Sequence, residues 1–283
     1  MSSQETRSAT HSVVFSPLSR SGGVKSLYLA CQALGRLGRS AIASFPVPRV
    51  VDWFAHACEA FDGTYTPDVL VYPEIFQPNI RSVSLRICYA LGKYASIKPH
   101  ADLTVCRSPA IEDWVRSQHP TMPTAVFEGS IDRAVFEYDG RPKREWICCM
   151  PRTHKSPKVA GLLRARHGDR VVEITGRTEA EVADVLKSAK VFVWWGNDKE
   201  GSPRPPKEAL VAGCVVVGLA SELDVSHAVD FGLRCSSIAD VVERAGDALS
   251  MPVPGVAERA VVRDNAREME DWIDLVARLR SSS

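Results

Sequence analysis

Two glutamates, Glu200 and Glu208, bracket a Gly- and Pro-rich turn in the run VFVWWGNDKEGSPRPPKEALVAGCVVVG, residues 191–218. Carboxylates so placed accept hydrogen bonds from sugar hydroxyls. The N–H groups and the positive end of a helix starting near Pro205 favour a negatively charged group beside them. One site there suits a ligand that is part sugar and part phosphate, with Gly201, Ser202 and Arg204 in its loop. Upstream, PRTHKSPK (residues 151–158) puts Arg152, Lys155 and Lys158 in one turn. A forked guanidinium and mobile ammonium groups are suited to a diphosphate. Taken singly, both stretches read better as solvated surface turns. Three further positions are weaker candidates. Gly22-Gly23 lets backbone approach a ligand at a helix start. Glu74, after the apolar run PDVLVY, contacts a ligand hydroxyl or caps a turn, and His100, just before another apolar run, is a cleft residue or a structural histidine.

The elements that must hold these residues follow from periodicity. Residues 13–17 read as a first strand and 24–37 as a helix, with apolar positions Val24, Leu27, Tyr28, Cys31, Leu34 and Leu37. Strands are expected at 41–45, 67–72, 101–107, 124–127, 146–150, 170–174, 191–195 and 214–218. Helices are expected at 51–61, 80–94, 109–117, to 167, 178–188, from Pro205 to Gly213 and 238–249. Thr178 to Glu181 has the form of a capping box. Gly213 stands where a helix stops. A single long helix over 256–279 carries the stripe Val262, Ala266, Met269, Trp272, Ile273, Val276 and Leu279. Of the adjacent Trp194 and Trp195, one is expected in the core, while the other packs there too or lines a sugar site. Strand, loop, helix and strand alternate, so the chain reads as α/β with ligand loops at the carboxyl ends of its strands.

The run EGSPRPPKEALVAGCVVVG resembles the donor-site motif of nucleotide-sugar glycosyltransferases with the GT-B fold, approximately E-G-F-G-L-P-P-L-E-A-x-A-x-G-x-V-V-V. Glu200, Gly201, Pro205, Pro206, Glu208, Ala209, Ala212, Gly213 and residues 215–217 match it. Ser202-Pro203-Arg204 replaces Phe-Gly-Leu, which removes one backbone phosphate donor at Pro203 and offers the charge of Arg204 instead. The segment EGSIDRAVF (128–136) is similar to the family's interdomain stretch N-G-x-D-x-x-x-F. The resemblance implies two Rossmann-like domains facing each other across a cleft. It places an acceptor-side domain at 1–137, with 1–11 a disordered lead-in, and a donor domain at 138–283 whose final helix, 256–280, crosses back to the first. It also implies that Arg152 with Lys155 or Lys158 neutralises the leaving diphosphate, that Glu200 meets the donor sugar, and that Glu208 binds ribose hydroxyls. A glycine-rich loop after the first strand, here Gly22-Gly23, faces the donor.

Composition narrows the classes. At 283 residues with 45% apolar and 24% charged content, the chain has the make-up of a globular protein of two ordinary domains. A net charge of +1 argues against a dedicated nucleic-acid surface. No apolar run approaches the roughly 18 residues of a membrane span, and the polar start is unlike a secretory signal. The eight cysteines form no CxxC pair or zinc spacing, so they read as reduced, structural residues of a cytoplasmic protein. The expected function is transfer of a hexosyl or related sugar from a nucleoside diphosphate sugar to an acceptor hydroxyl, with retention and without metal or other cofactor. A nucleotide-sugar epimerase and a non-catalytic nucleotide-sugar-binding module are the alternatives. The acceptor is left open among glycan, protein, small molecule and modified nucleic acid.

Overall fold

The computed structural model describes residues 9–45, 47, 49–76, 78–79, 82–93, 100–151, 156–196, 201–220 and 232–281. They fall into two compact units, Met1–Phe127 with Ala266–Ser283, and Glu128–Asn265.

The first unit is a seven-stranded parallel sheet. Its strands are β1 (Thr10–Pro17), β2 (Gly38–Phe45), β3 (Glu59–Ala60), β4 (Val69–Pro73), β5 (Leu85–Ala90), β6 (Leu103–Cys106) and β7 (Thr124–Val126), in the order β3-β2-β1-β4-β5-β6-β7. Helices cover both faces. On one side α1 (Gly22–Gly35) packs Val24, Leu27 and Leu34 against Val14, Val71 and Ile87. On the other, α2 (Pro109–Gln118) packs Ile111 and Val115 against Val13, Leu70 and Cys106. Burial on both faces explains strands that are nearly continuous apolar runs.

The second unit holds α3 (Arg133–Phe136), β8 (Arg144–Cys149), α4 (Ser156–His167), β9 (Val171–Glu173), α5 (Glu179–Ser188), β10 (Ala189–Trp194), α6 (Arg204–Val211), β11 (Val215–Leu219), β12 (Gly232–Cys235), α7 (Ile238–Asp247) and α8 (Val256–Ala260). Its five strands are parallel, in the order β12-β11-β10-β8-β9. Residues of α3, α5 and α6 pack on one face, and residues of α4 and α7 on the other. A last helix, α9 (Asn265–Ser281), lies almost wholly in the first unit.

Several expectations are corrected. Residues 51–61 form no helix. The N–H of Val51 donates to the Tyr28 hydroxyl at 2.9 Å and the Val51 carbonyl meets the His56 ring, so side chains satisfy backbone that a helix would have paired. Within 80–94 the structure has the strand β5, because a slot between β4 and β6 buries its apolar run. Residues 10 and 11 belong to β1 and not to a disordered lead-in; the N–H of His11 donates to Asp68 at 2.9 Å. The final helix is two helices, α8 and α9. The chain turns at Val261 and Val262, and Asp264 then pairs with Ile131 in an isolated parallel bridge. The break lets one apolar stripe serve two cores: Val262 joins that of the second unit, Trp272 and Val276 that of the first. The division of the chain precedes Glu128 instead of following 137, since Ile131 and Phe136 are fully buried with Cys148, Ile174 and Phe192.

Candidate functional site

Each sheet has one point where its order reverses. In the second unit β8 leads to β9 on one side, and the chain then returns to β10 on the other. The loops after β8 and β10 therefore flank the crevice where open α/β sheets take ligands. The first of these loops contains Arg152 and Lys155 and leads to Lys158. The second contains Glu200 and leads to Gly201, Ser202 and α6. Arg152, Lys155 and Glu200 lie outside the described residues. Lys158 is exposed on the first turn of α4, and Gly201 is buried.

The start of α6 is unusual. Pro203 is the N-cap and gives no side-chain cap, and Pro205 and Pro206 follow within the first turn. Three prolines remove three of the N–H groups that a helix N-terminus usually presents. Three charged side chains, Arg204, Lys207 and Glu208, are instead buried there, each about 4% exposed. Arg204 Nε lies 3.6 Å from Glu208 Oε1, and Arg204 Nη2 donates to Asn265 Oδ1 at 3.4 Å. The Nε and Nη1 atoms of Arg204 are buried without a hydrogen-bond partner. Lys207 Nζ donates to Gly129 O at 2.8 Å and to Ser202 Oγ at 2.7 Å. Sequence reasoning passed over Lys207. The signal was a charge where the pattern E-G-F-G-L-P-P-L-E has its second leucine.

In the first unit the order reverses between β1 and β4. The loop after β1 leads into α1 at Gly22-Gly23, where Ser21 caps the helix by accepting from the N–H of Val24. Glu74 follows β4. Its carboxylate is 7% exposed and accepts from the N–H groups of Leu91 at 3.0 Å and Gly92 at 2.9 Å. Burial pushes Glu74 up to about 7, with the two backbone donors acting the other way. A side chain at Gly23 would come 3.1 Å from Leu91 Cδ1. Gly22, Gly23, Glu74 and the end of β5 thus gather at one carboxyl edge. His100 is exposed and precedes β6, at the opposite, amino edge, so the structure does not bring it to the other candidates. Both Trp194 and Trp195 are buried in the second unit's cores, so neither lines an open sugar site.

No family model and no curated protein sequence matches the chain. Solved structures do. Sucrose-phosphate synthase from Thermosynechococcus elongatus superposes with a TM-score of 0.69 at 14% identity, over 97% of this chain and 100% of that one. HepE of Anabaena, solved in complex with UDP and glucose, gives 0.64 at 11% identity over 97% and 100%. AviGT4, a glycosyltransferase involved in avilamycin A biosynthesis, gives 0.62 at 15% over 97% and 99%. The fold is GT-B. In this GT-B chain the two parallel-stranded sheets are the feature that matches those structures.

Proposed function

We propose that this chain is a glycosyltransferase that moves a sugar from a nucleoside diphosphate sugar to an acceptor hydroxyl, with retention and without a metal ion. The observation that carries the reading is that the basic loop after β8 and the EGSPRPPKE loop after β10 lie on adjacent strands at the switch point of a GT-B unit. The UDP and glucose found with HepE supply the ligand class. Arg152 with Lys155 or Lys158 stabilises charge on the leaving diphosphate, the step at which placed cations matter most. Glu200 contacts the donor sugar, and Glu208, oriented by Arg204, accepts from the ribose hydroxyls. Gly22-Gly23 faces the donor, and Glu74 belongs to the acceptor side.

The test is a panel of UDP-, GDP-, ADP- and TDP-sugars incubated with the protein in EDTA together with a mixture of glycan and small-alcohol acceptors, with released nucleoside diphosphate measured. One sugar nucleotide is expected to release its diphosphate. Glu200→Gln is expected to lower kcat tenfold or more, a loss of about 1.4 kcal/mol of transition-state stabilisation, with little change in KM. Binding without turnover across the panel would reduce the protein to a binding module, a reading to which the three missing amides at α6 lend weight. Conversion of the donor sugar without release would make it an epimerase. Turnover only with added manganese or magnesium would overturn the metal-free mechanism.

A further inference from the structure

The first turn of α6 breaks a general rule. Cations at a helix N-terminus oppose the macrodipole, yet Arg204 and Lys207 both sit there, buried, and no acidic residue shares the first turn. Such a violation is expected where function outweighs stability. Three residues apart, the two side chains share one face of the helix. Each reaches a segment where the chain passes between its units. Lys207 holds Gly129, beside the 127/128 division, and Arg204 holds Asn265, at the 265/266 division. Those two segments are themselves one ladder. Ile131 donates to Arg263 O at 3.0 Å and accepts from the N–H of Asn265 at 2.8 Å, and Ser130 Oγ donates to Asn265 Oδ1 at 2.8 Å. At its other end Lys207 holds Ser202, in the loop before the helix. The ammonium thus ties Ser202 to the first turn of a helix that has no side-chain cap.

We propose that Lys207 and Arg204 are positioning residues. They clamp the loop before α6 to both crossing segments, so that a nucleoside diphosphate in that loop is registered at residues 128–131 and 263–265. The coupling rests on the proposed function, since it takes the loop to be the donor site. Lys207 makes the link in two hydrogen bonds, Ser202 to ammonium to Gly129. Arg204 makes it through Asn265, whose amide oxygen accepts from both Arg204 and Ser130. The partners on the crossing segments are neutral oxygens, a carbonyl for Lys207 and a side-chain amide for Arg204.

The experiment is hydrogen exchange by mass spectrometry on the full chain, with and without saturating UDP, ADP or GDP as probes. In the parent, the bound probe is expected to slow exchange at least threefold in residues 201–207, 128–131 and 263–265 together. Ser202→Ala removes an acceptor without stranding a buried charge. At probe concentrations that saturate the variant, it is expected to keep the parental melting temperature and to lose the protection at 128–131 while retaining that at 263–265. Lys207→Met is expected to behave in the same way and to weaken probe binding about tenfold, and Lys207→Arg is expected to restore part of the protection. Asn265→Ala is expected to lose it at 263–265. If the parent responds and both Ser202→Ala and Lys207→Met respond like the parent at 128–131, the coupling is wrong and the functional reading stands. A parent that responds to none of the three nucleotides overturns both.

Discussion

Glu74 shows what a single residue contributes to this architecture. Its carboxylate is buried at the end of β4 and binds two backbone N–H groups at the end of β5. Burial raises it from the usual carboxylate range to about 7. The titratable neighbours that feel its charge are the thiols of Cys88 and Cys106, which burial also raises, Cys106 up to about 12. With a folded value above the unfolded one, the group's contribution to stability is full below about pH 4.5 and is lost as pH rises to 7. Above pH 7 the fold carries a buried charge, at a cost of roughly 3 kcal/mol relative to acid. Glu74→Gln cannot ionise. Its stability relative to the parent is therefore expected to rise by roughly 3 kcal/mol between pH 4.5 and 7.5. Urea unfolding of both proteins at pH 5 and pH 8 measures it, and a difference independent of pH would refute the assignment. Of this arrangement, sequence showed the residue and its place after a strand. Its partners were hidden, because Leu91 and Gly92 looked like part of a helix. Lys207 was hidden for the opposite reason: a lysine beside a turn reads as solvated until its slot is known to be buried.

At the level of elements, local signals were reliable where the chain satisfies its own backbone. Thr178 and Glu181 form the capping box that their spacing announced, and Ser21, Ser108 and Ser237 cap helices in the ordinary way. Gly213 ends α6 with φ +81°, as a glycine at that position should. The failures came where backbone is satisfied at a distance. Val51 bonds to a tyrosine on another element, and β5 is a strand only because two neighbours leave a slot for one. Short apolar runs do not distinguish these cases. The end of α6 offers a test. A side chain at Gly213 needs a left-handed backbone, and its Cβ would lie 2.9 Å from Cγ of Tyr138. Gly213→Ala is expected to destabilise the second unit by about 2 kcal/mol or more, combining the left-handed penalty with that contact. Tyr138 sits in the stretch 138–144, where its N–H donates to Val211 O, so the loss should appear in α6 and in that stretch together. Hydrogen exchange confined to α6 would show that the contact with Tyr138 carries none of it.

For the whole molecule, the α/β class was legible because most buried strands, β5 excepted, are apolar runs followed by a turn. The assignment of segments to cores was not legible, because it depends on which core encloses Ile131, Phe136 and Trp272 rather than on any local pattern. The last helix makes the point. Trp272 is fully buried in the first unit and meets Tyr89 and Phe127 edge to face, at ring separations of 5.1 and 5.2 Å. Beneath it, Glu268 accepts from Arg107 at 2.5 Å and from the Tyr89 hydroxyl at 2.7 Å, all three side chains being buried. Trp272, Leu275 and Val276 at roughly 1.5–3 kcal/mol each contribute on the order of 5 kcal/mol or more, comparable with the whole stability of an ordinary domain. Losing Glu268 as well leaves the Arg107 charge without its partner, a further cost of about 3–5 kcal/mol if the site stays closed. A chain truncated after Asn265 is therefore expected to lose the fold of its first unit although that unit keeps every strand. Amide exchange in β4, β5 and β6 should rise towards unprotected rates while β8, β10 and β11 keep parental protection. Adding a peptide of residues 266–281 in excess should restore protection to β5 first, since Tyr89 lies on it. If β5 exchanges in the truncated chain as it does in the parent, α9 is a passenger on the sheet and the Arg107–Tyr89–Glu268 network does not hold the first unit together.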